Sequence, residues 1–191
     1  LVRALTGGRK LIRAIAYVVK TEGTAAEAEN KHTRDGEAAF FDALKEAGIE
    51  VVAYCNSKIT TYADGHTGPR DEIWGLDVDV LVTATVTDVI NDTNKAKIKA
   101  KIIIEGSNIP MSAETEDFLF RKGVIIVPDF VANAGGVISS YAEYKEFSAK
   151  KMFQLVEQKV SKATEAVLSR SLKLKKNPRV VAIELAKERI K

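Results

Sequence analysis

The run Asn133-Ala134-Gly135-Gly136 gathers residue types that suit a small polar ligand. An asparagine side chain offers two donors and an acceptor, the complement of a carboxamide edge. Two glycines at the start of a helix let backbone N–H groups come close to a ligand, and the same pair also serves a tight turn where helix meets sheet. Asn133 fits a helix cap as well, and the two roles are compatible. Three further short polar sets share this small, mostly uncharged character: Cys55-Asn56-Ser57-Lys58, Thr83-Ala84-Thr85 and Gly106-Ser107-Asn108. Asn108, close to Pro110, reads by itself as a turn residue. General-base chemistry is poorly supplied. Glu105 and Asp129 qualify only by position, and a carboxylate at a strand end more often caps or pairs locally. No Ser-His-Asp set is readable, and Cys55 has no base near it in sequence. His32 and His66 are the only histidines, so a His-rich metal site is not expected.

Each polar set follows a short apolar run, and those runs read as strands: 49–54, 78–83, 102–105 and 124–127. Strands this apolar are covered on both faces, which indicates a parallel sheet. Between them the spacing predicts helices over 37–47 (ending at Gly48), 86–96 and 112–121, with Ser112 as cap and Gly123 as stop. Residues 11–20 carry Leu11, Ile12, Ile15, Val18 and Val19 at helical spacing. Residues 56–75 read as loop or hairpin, punctuated by Asp64-Gly65 and Gly68-Pro69. A long helix starts near Ala134 and runs through Tyr144. The tail reads as helices over about 149–175 and 179–190, broken at Asn177-Pro178, with Met152, Leu155, Val156, Val160, Ala163 and Val167 as one apolar stripe. The fold class expected is α/β, Rossmann-like and doubly wound, a mostly parallel sheet with helices on both faces plus C-terminal helices. In such sheets ligands bind outside the carboxyl ends of the strands, where all four polar sets would meet.

Length and composition fit this reading. A chain of 191 residues with 46% hydrophobic and 29% charged residues is long enough for one core without staples. Net charge is +3, yet residues 150–191 hold 12 Lys+Arg against 4 Asp+Glu. A basic tail raises nucleic acid as a partner, but no aromatic follows Phe153 to stack on bases, so a solvated helical face is the reading and no nucleic-acid partner is expected. No apolar run approaches the roughly 20 residues that span a bilayer, and no signal-peptide core opens the chain, so no membrane partner is expected. The single Cys55 favours a reducing compartment, hence a cytoplasmic location.

The runs Lys101-Ile102-Ile103-Ile104-Glu105-Gly106-Ser107-Asn108-Ile109-Pro110 and Pro128-Asp129-Phe130-Val131-Ala132-Asn133-Ala134-Gly135-Gly136-Val137-Ile138-Ser139-Ser140-Tyr141 closely resemble signatures of the hexameric glutamate dehydrogenases, within the Glu/Leu/Phe/Val amino-acid dehydrogenase family. Asp77 to Thr85 is similar to the family's strand ending in Pro-Ala-Ala. The resemblance extends from about Gly48 to Lys191. It implies an NAD or NADP site and oxidative deamination of L-glutamate to 2-oxoglutarate and ammonia. On this resemblance Asn133 faces the nicotinamide carboxamide, Asn108, Ala84 and Thr85 line the nicotinamide-ribose side, and Asn56, Ser57, Gly135 and Gly136 complete the cofactor site. Val137 and Ser140 would touch the amino-acid substrate, with the Ser140 hydroxyl on its side-chain carboxylate. Related enzymes acting on leucine, valine or phenylalanine share the plan, and Ser140 favours glutamate. Residues 1–150 would form the dinucleotide-binding domain, with 1–36 degenerate, and 151–191 would be helices packing back towards an N-terminal catalytic domain. The full-length protein would be a homo-oligomer, a hexamer in most of the family.

Three departures from the pattern matter. The family's Gly-x-Gly-x-x-Gly falls on His32-Thr33-Arg34-Asp35-Gly36-Glu37, where Gly36 is the only glycine and is out of register, and the segment that should form the strand before it, 23–31, has no buried-strand character. The carboxylate expected at the ribose of an NAD site is Asn56, which removes repulsion of a 2′-phosphate and predicts tolerance of NADP. The family's catalytic lysine and aspartate lie in an N-terminal domain, whereas Thr6-Gly7-Gly8-Arg9 matches a stretch that follows it. No catalytic residue is therefore assigned in this chain, which alone is expected to be inactive. The alternative is a non-catalytic nucleotide-binding or regulatory relative.

Overall fold

A computed structural model describes residues 13–17, 50–54, 70–84 and 86–190. Five strands, β1 (Arg13–Tyr17), β2 (Glu50–Tyr54), β3 (Val80–Thr83), β4 (Ile102–Glu105) and β5 (Ile125–Val127), form one sheet in the order β2-β1-β3-β4-β5. Every neighbouring pair is parallel. The chain passes from β1 to β2 on one side and then returns to β3 on the other. That reversal makes a crevice at the carboxyl ends of β1 and β3.

Strands β3 to β5 are packed on both faces, as their apolar sequences require. Leu81, Ile103 and Ile126 join one cluster with Ile73, Trp74, Met111 and Leu119. These come from a short 3-10 segment (Arg70–Gly75), the loop after β4, and helix α1 (Ala113–Arg121). On the other face Ile104, Ile125 and Val127 pack with Val131, Val167, Leu168 and Ala182. Those residues belong to α2 (Asp129–Ala132), α4 (Ala149–Leu174) and α5 (Pro178–Ile190), while α3 (Gly135–Tyr144) lies along α4. Each fully buried Leu or Ile here contributes about 1.5–3 kcal/mol. Among the described residues no helix is long and apolar enough to cross a membrane.

Helix ends follow local chemistry. The Ser112 hydroxyl accepts from the Thr115 N–H at 3.2 Å, and Gly123 turns the chain at φ +87°. Ser148 caps α4 in the same way. Asn177 accepts from the Arg179 N–H at 2.8 Å, which starts α5 with Pro178 in its first turn, where a missing N–H costs nothing.

Two expectations are corrected. The segment 11–20, expected to be helical, contains β1 instead. Its Ala14 and Ile15 pair with Val80 and Leu81 of β3. A ten-residue apolar run satisfies both periods, and pairing between β2 and β3 decides in favour of strand. The strand between β2 and β3 is thus 13–17, and residues 23–31 lie outside the described residues. The stretch 86–96 forms no α-helix. Asp88 is left-handed (φ 55°), the Asn91 N–H binds Asn94 Oδ1, and Asn94 Nδ2 binds the Val89 carbonyl. Asn side chains here take over the backbone bonds a helix would need. Val89 and Ile90 thereby reach the core, Ile90 bridging to Met111. The expected helix at 37–47 and most of the expected loop at 56–75 lie outside the described residues.

Candidate functional site

Parallel pairing in register brings the strand ends together. Tyr17 is level with Tyr54 on one side and Thr83 on the other; Thr83 is level with Glu105, and Ile104 with Val127. The turns leaving β3, β4 and β5 therefore meet at one edge. The Thr83 carbonyl accepts from the Ser107 N–H at 2.7 Å, locking the turn after β4 against the end of β3. A Cβ at Gly106 would lie 3.1 Å from that carbonyl oxygen and 3.3 Å from the Ala84 Cβ, so a side chain here would press on the end of β3.

Two of the sequence-predicted asparagines meet here although 25 residues separate them. Asn133 Nδ2 donates to Asn108 Oδ1 at 2.7 Å. Asn108 is exposed and Asn133 half-buried. This one bond leaves the Asn133 Oδ1 acceptor and the Asn108 Nδ2 donors without a side-chain partner among the described residues. Those open atoms complement a carboxamide, which carries one acceptor and one NH₂ group.

The two glycines differ in reason. A Cβ at Gly135 would press on Val156 Cγ1 at 3.2 Å, so Gly135 lets α3 lie close to α4. A Cβ at Gly136 would meet nothing within 4 Å. Packing does not demand glycine there, whereas close approach of a ligand to the backbone would. The next residue, Val137, is 78% exposed. Ser140 is exposed too, and its hydroxyl donates to the Gly136 carbonyl at 3.2 Å. To serve a substrate carboxylate that hydroxyl would have to turn away from its own helix. Ala84 is exposed beside Gly106. Thr85, Asn56, Ser57, and the fingerprint segment 32–37 lie outside the described residues.

The sequence reading missed the group beneath the amide pair. Arg179, from α5, reaches three carboxylates from three elements. Its Nη2 donates to Glu105 Oε2 at 2.6 Å, its Nη1 to Asp129 Oδ1 at 3.0 Å and its Nε to Glu116 Oε2. Glu105 is fully buried and also accepts the Asp129 N–H at 2.8 Å. Burial, opposed by the Arg179 charge and reinforced by that of Glu116, pushes the Glu105 carboxyl up to about 7. Burial disfavours ionised Asp129 as well, but the N–H groups of Ile109 and Phe130 and the guanidinium outweigh it, holding this carboxyl below its ordinary value. Glu105 and Asp129 thus pair locally and are spent on Arg179. The one signal in the sequence was a carboxylate closing the apolar run Ile102-Ile103-Ile104-Glu105, because a buried charge demands a cation.

Residues 17–191 match the family model for glutamate/leucine/phenylalanine/valine dehydrogenase. The NADP-specific glutamate dehydrogenase of Saccharolobus shibatae is 36% identical over 106 residues, covering 53% of this chain and 25% of that protein. The glutamate dehydrogenase of Aeropyrum pernix is 37% identical over 142 residues, covering 69% of this chain and 34% of that protein. The L-tryptophan dehydrogenase of Nostoc punctiforme, 21% identical, shares the fold with a TM-score of 0.75 over 99% of this chain and 55% of its own. The chain thus spans about a third or less of these two sequence relatives and about half of the solved one. With a match over nearly its whole length, the chain belongs to the glutamate/leucine/phenylalanine/valine dehydrogenase family.

Proposed function

We propose that this chain is the dinucleotide-binding portion of a glutamate dehydrogenase-type oxidoreductase. It uses NAD or NADP and converts L-glutamate to 2-oxoglutarate and ammonia in a longer protein. The observation that carries this reading is the Asn108–Asn133 pair, joined at 2.7 Å with its remaining amide atoms open at the carboxyl edge of the sheet. These atoms fit the carboxamide of a nicotinamide ring, and Gly136 leaves room for approach to the backbone. When bound, the cofactor would supply a hydride acceptor, nicotinamide C4, for the hydrogen on the amino acid's α-carbon. The chain's own residues bind and orient: Asn133 and Asn108 hold the carboxamide, Ala84 and Thr85 line the ribose side, and Val137 and Ser140 face the substrate.

Asn56 and Ser57, in place of a carboxylate, admit a 2′-phosphate, so both cofactors bind. The NADP-specific relative supports this. Residues 1–150 form the binding domain and 151–191 the helices that return towards a second, catalytic domain. That domain supplies the lysine and aspartate and closes to exclude water. The assembled protein is a homo-oligomer in the cytoplasm.

The test is titration of the chain with NADH and NADPH, read by energy transfer from Trp74 to the reduced cofactor. Saturable binding of both, weakened about tenfold by Asn133→Ala, a loss of ~1.4 kcal/mol, is expected. No binding of either cofactor would sink the reading. Exclusion of NADPH alone would remove the role given to Asn56.

A further inference from the structure

The amide pair does not hold itself in place. Asn108 is followed by Ile109, whose backbone is left-handed at φ 47°. A β-branched residue there is a true outlier, and such strain persists only where the surroundings impose it. The Ile109 side chain is 59% exposed, so core packing does not impose it. Hydrogen bonds do. The Ile109 N–H donates to Asp129 Oδ2 at 2.9 Å, and its carbonyl accepts from the Asp88 N–H at 3.0 Å. Asp129 is fixed in turn. Its Oδ1 accepts from the Phe130 N–H and from Arg179 Nη1, and its own N–H is held by Glu105. Four residues past Asp129, the Asn133 N–H donates to the Asp129 carbonyl at 2.8 Å.

We propose that Asp129, clamped by Arg179, is the positioning residue for the nicotinamide amide pair: its side chain holds the turn that carries Asn108 and its carbonyl holds Asn133. This rests on the cofactor reading above. One residue thus holds the backbone next to Asn108 and the backbone N–H of Asn133 through different atoms, and Arg179 of α5 reaches it both directly and through Glu105. The cluster is poorly built for stability alone. One guanidinium faces three carboxylates, and Glu105 Oε1 and Glu116 Oε1 are buried with no hydrogen-bond partner. A buried ionic cluster of this kind is weak evidence for stabilisation, and apolar residues of the same size would do that work better. Its geometry serves orientation.

The experiment compares two ligands on the same chain: NADH, and ADP-ribose, which lacks the nicotinamide. Asp129→Asn has a single oxygen and cannot satisfy both Ile109 and Arg179. Arg179→Lys offers a point charge in place of three directed donors. Each variant is expected to weaken NADH about tenfold while changing ADP-ribose less than about twofold, and Asn133→Ala added to Asp129→Asn should cost little more than either substitution alone. Should Arg179→Lys fail to fold, the near-isosteric Asp129→Asn carries the same comparison. Equal losses for both ligands, an unchanged NADH affinity, or additive losses in the double variant would each overturn the positioning role. A wild-type chain that binds no NADH or NADPH would instead overturn the cofactor reading, and the positioning role with it.

Discussion

Glu105 and Asp129 sit side by side on Arg179 and respond to pH in opposite senses. The Glu105 carboxyl is raised from 4.5 to about 7, so the folded protein holds a proton that the unfolded chain has released. Its contribution to stability is complete below about pH 4.5 and is lost as pH rises through 7. Asp129 is shifted down, so its contribution is present above the ordinary aspartate range and is lost as pH falls through its lowered value. Glu105→Gln should therefore flatten the decline in stability between about pH 4.5 and 7. The effect is up to ~3 kcal/mol at about 1.4 kcal/mol per pH unit between the two values, and denaturant melts across that range read it. An unaltered slope would mean that Glu105 is not the group responsible. Ile109 gives a second check. Ile109→Asn should raise stability by ~0.5–1 kcal/mol, because asparagine tolerates the left-handed backbone and the isoleucine side chain is mostly in water. Asn108 and Asn133 were legible in the sequence because each follows an apolar strand. Arg179 was not, since its Glu105 partner lies 74 residues away and a single arginine on a basic helix carries no local mark.

Between elements, the glycine pair at the start of α3 separates packing from binding. Gly135→Ala should destabilise, because Val156 must yield to a Cβ at 3.2 Å. Gly136→Ala meets no neighbour and should stabilise α3 by ~0.5–1 kcal/mol through helix propensity, yet weaken NADH binding. Thermal melts and the fluorescence titration read the two effects separately. Unchanged NADH affinity in Gly136→Ala would mean that the backbone there is not approached by ligand. Strands β2 to β5 and helices α1, α3, α4 and α5 could be read from apolar runs bounded by Ser112, Gly123 and Asn177-Pro178. β1 could not, because five residues flanked by apolar neighbours satisfy helix and strand alike, and only the two neighbouring strands distinguish them. The stretch 86–96 was misread for a different reason: Asn91 and Asn94 bond to the backbone, which no periodicity reports.

Taken together, the molecule is a parallel sheet whose carboxyl edge presents a pair of linked amides, braced from below by a helix that comes from the far end of the chain. The family relationship agrees with that architecture, and the cofactor is what it is proposed to receive. At 20.9 kDa the chain suits solution NMR, where each asparagine NH₂ group has its own resonance. Titration with NADH should move the side-chain amide signals of Asn108 and Asn133 saturably, and ADP-ribose should leave them in place. Signals that stay fixed while NADH binds, or that shift equally with ADP-ribose, would contradict a nicotinamide held by these two residues.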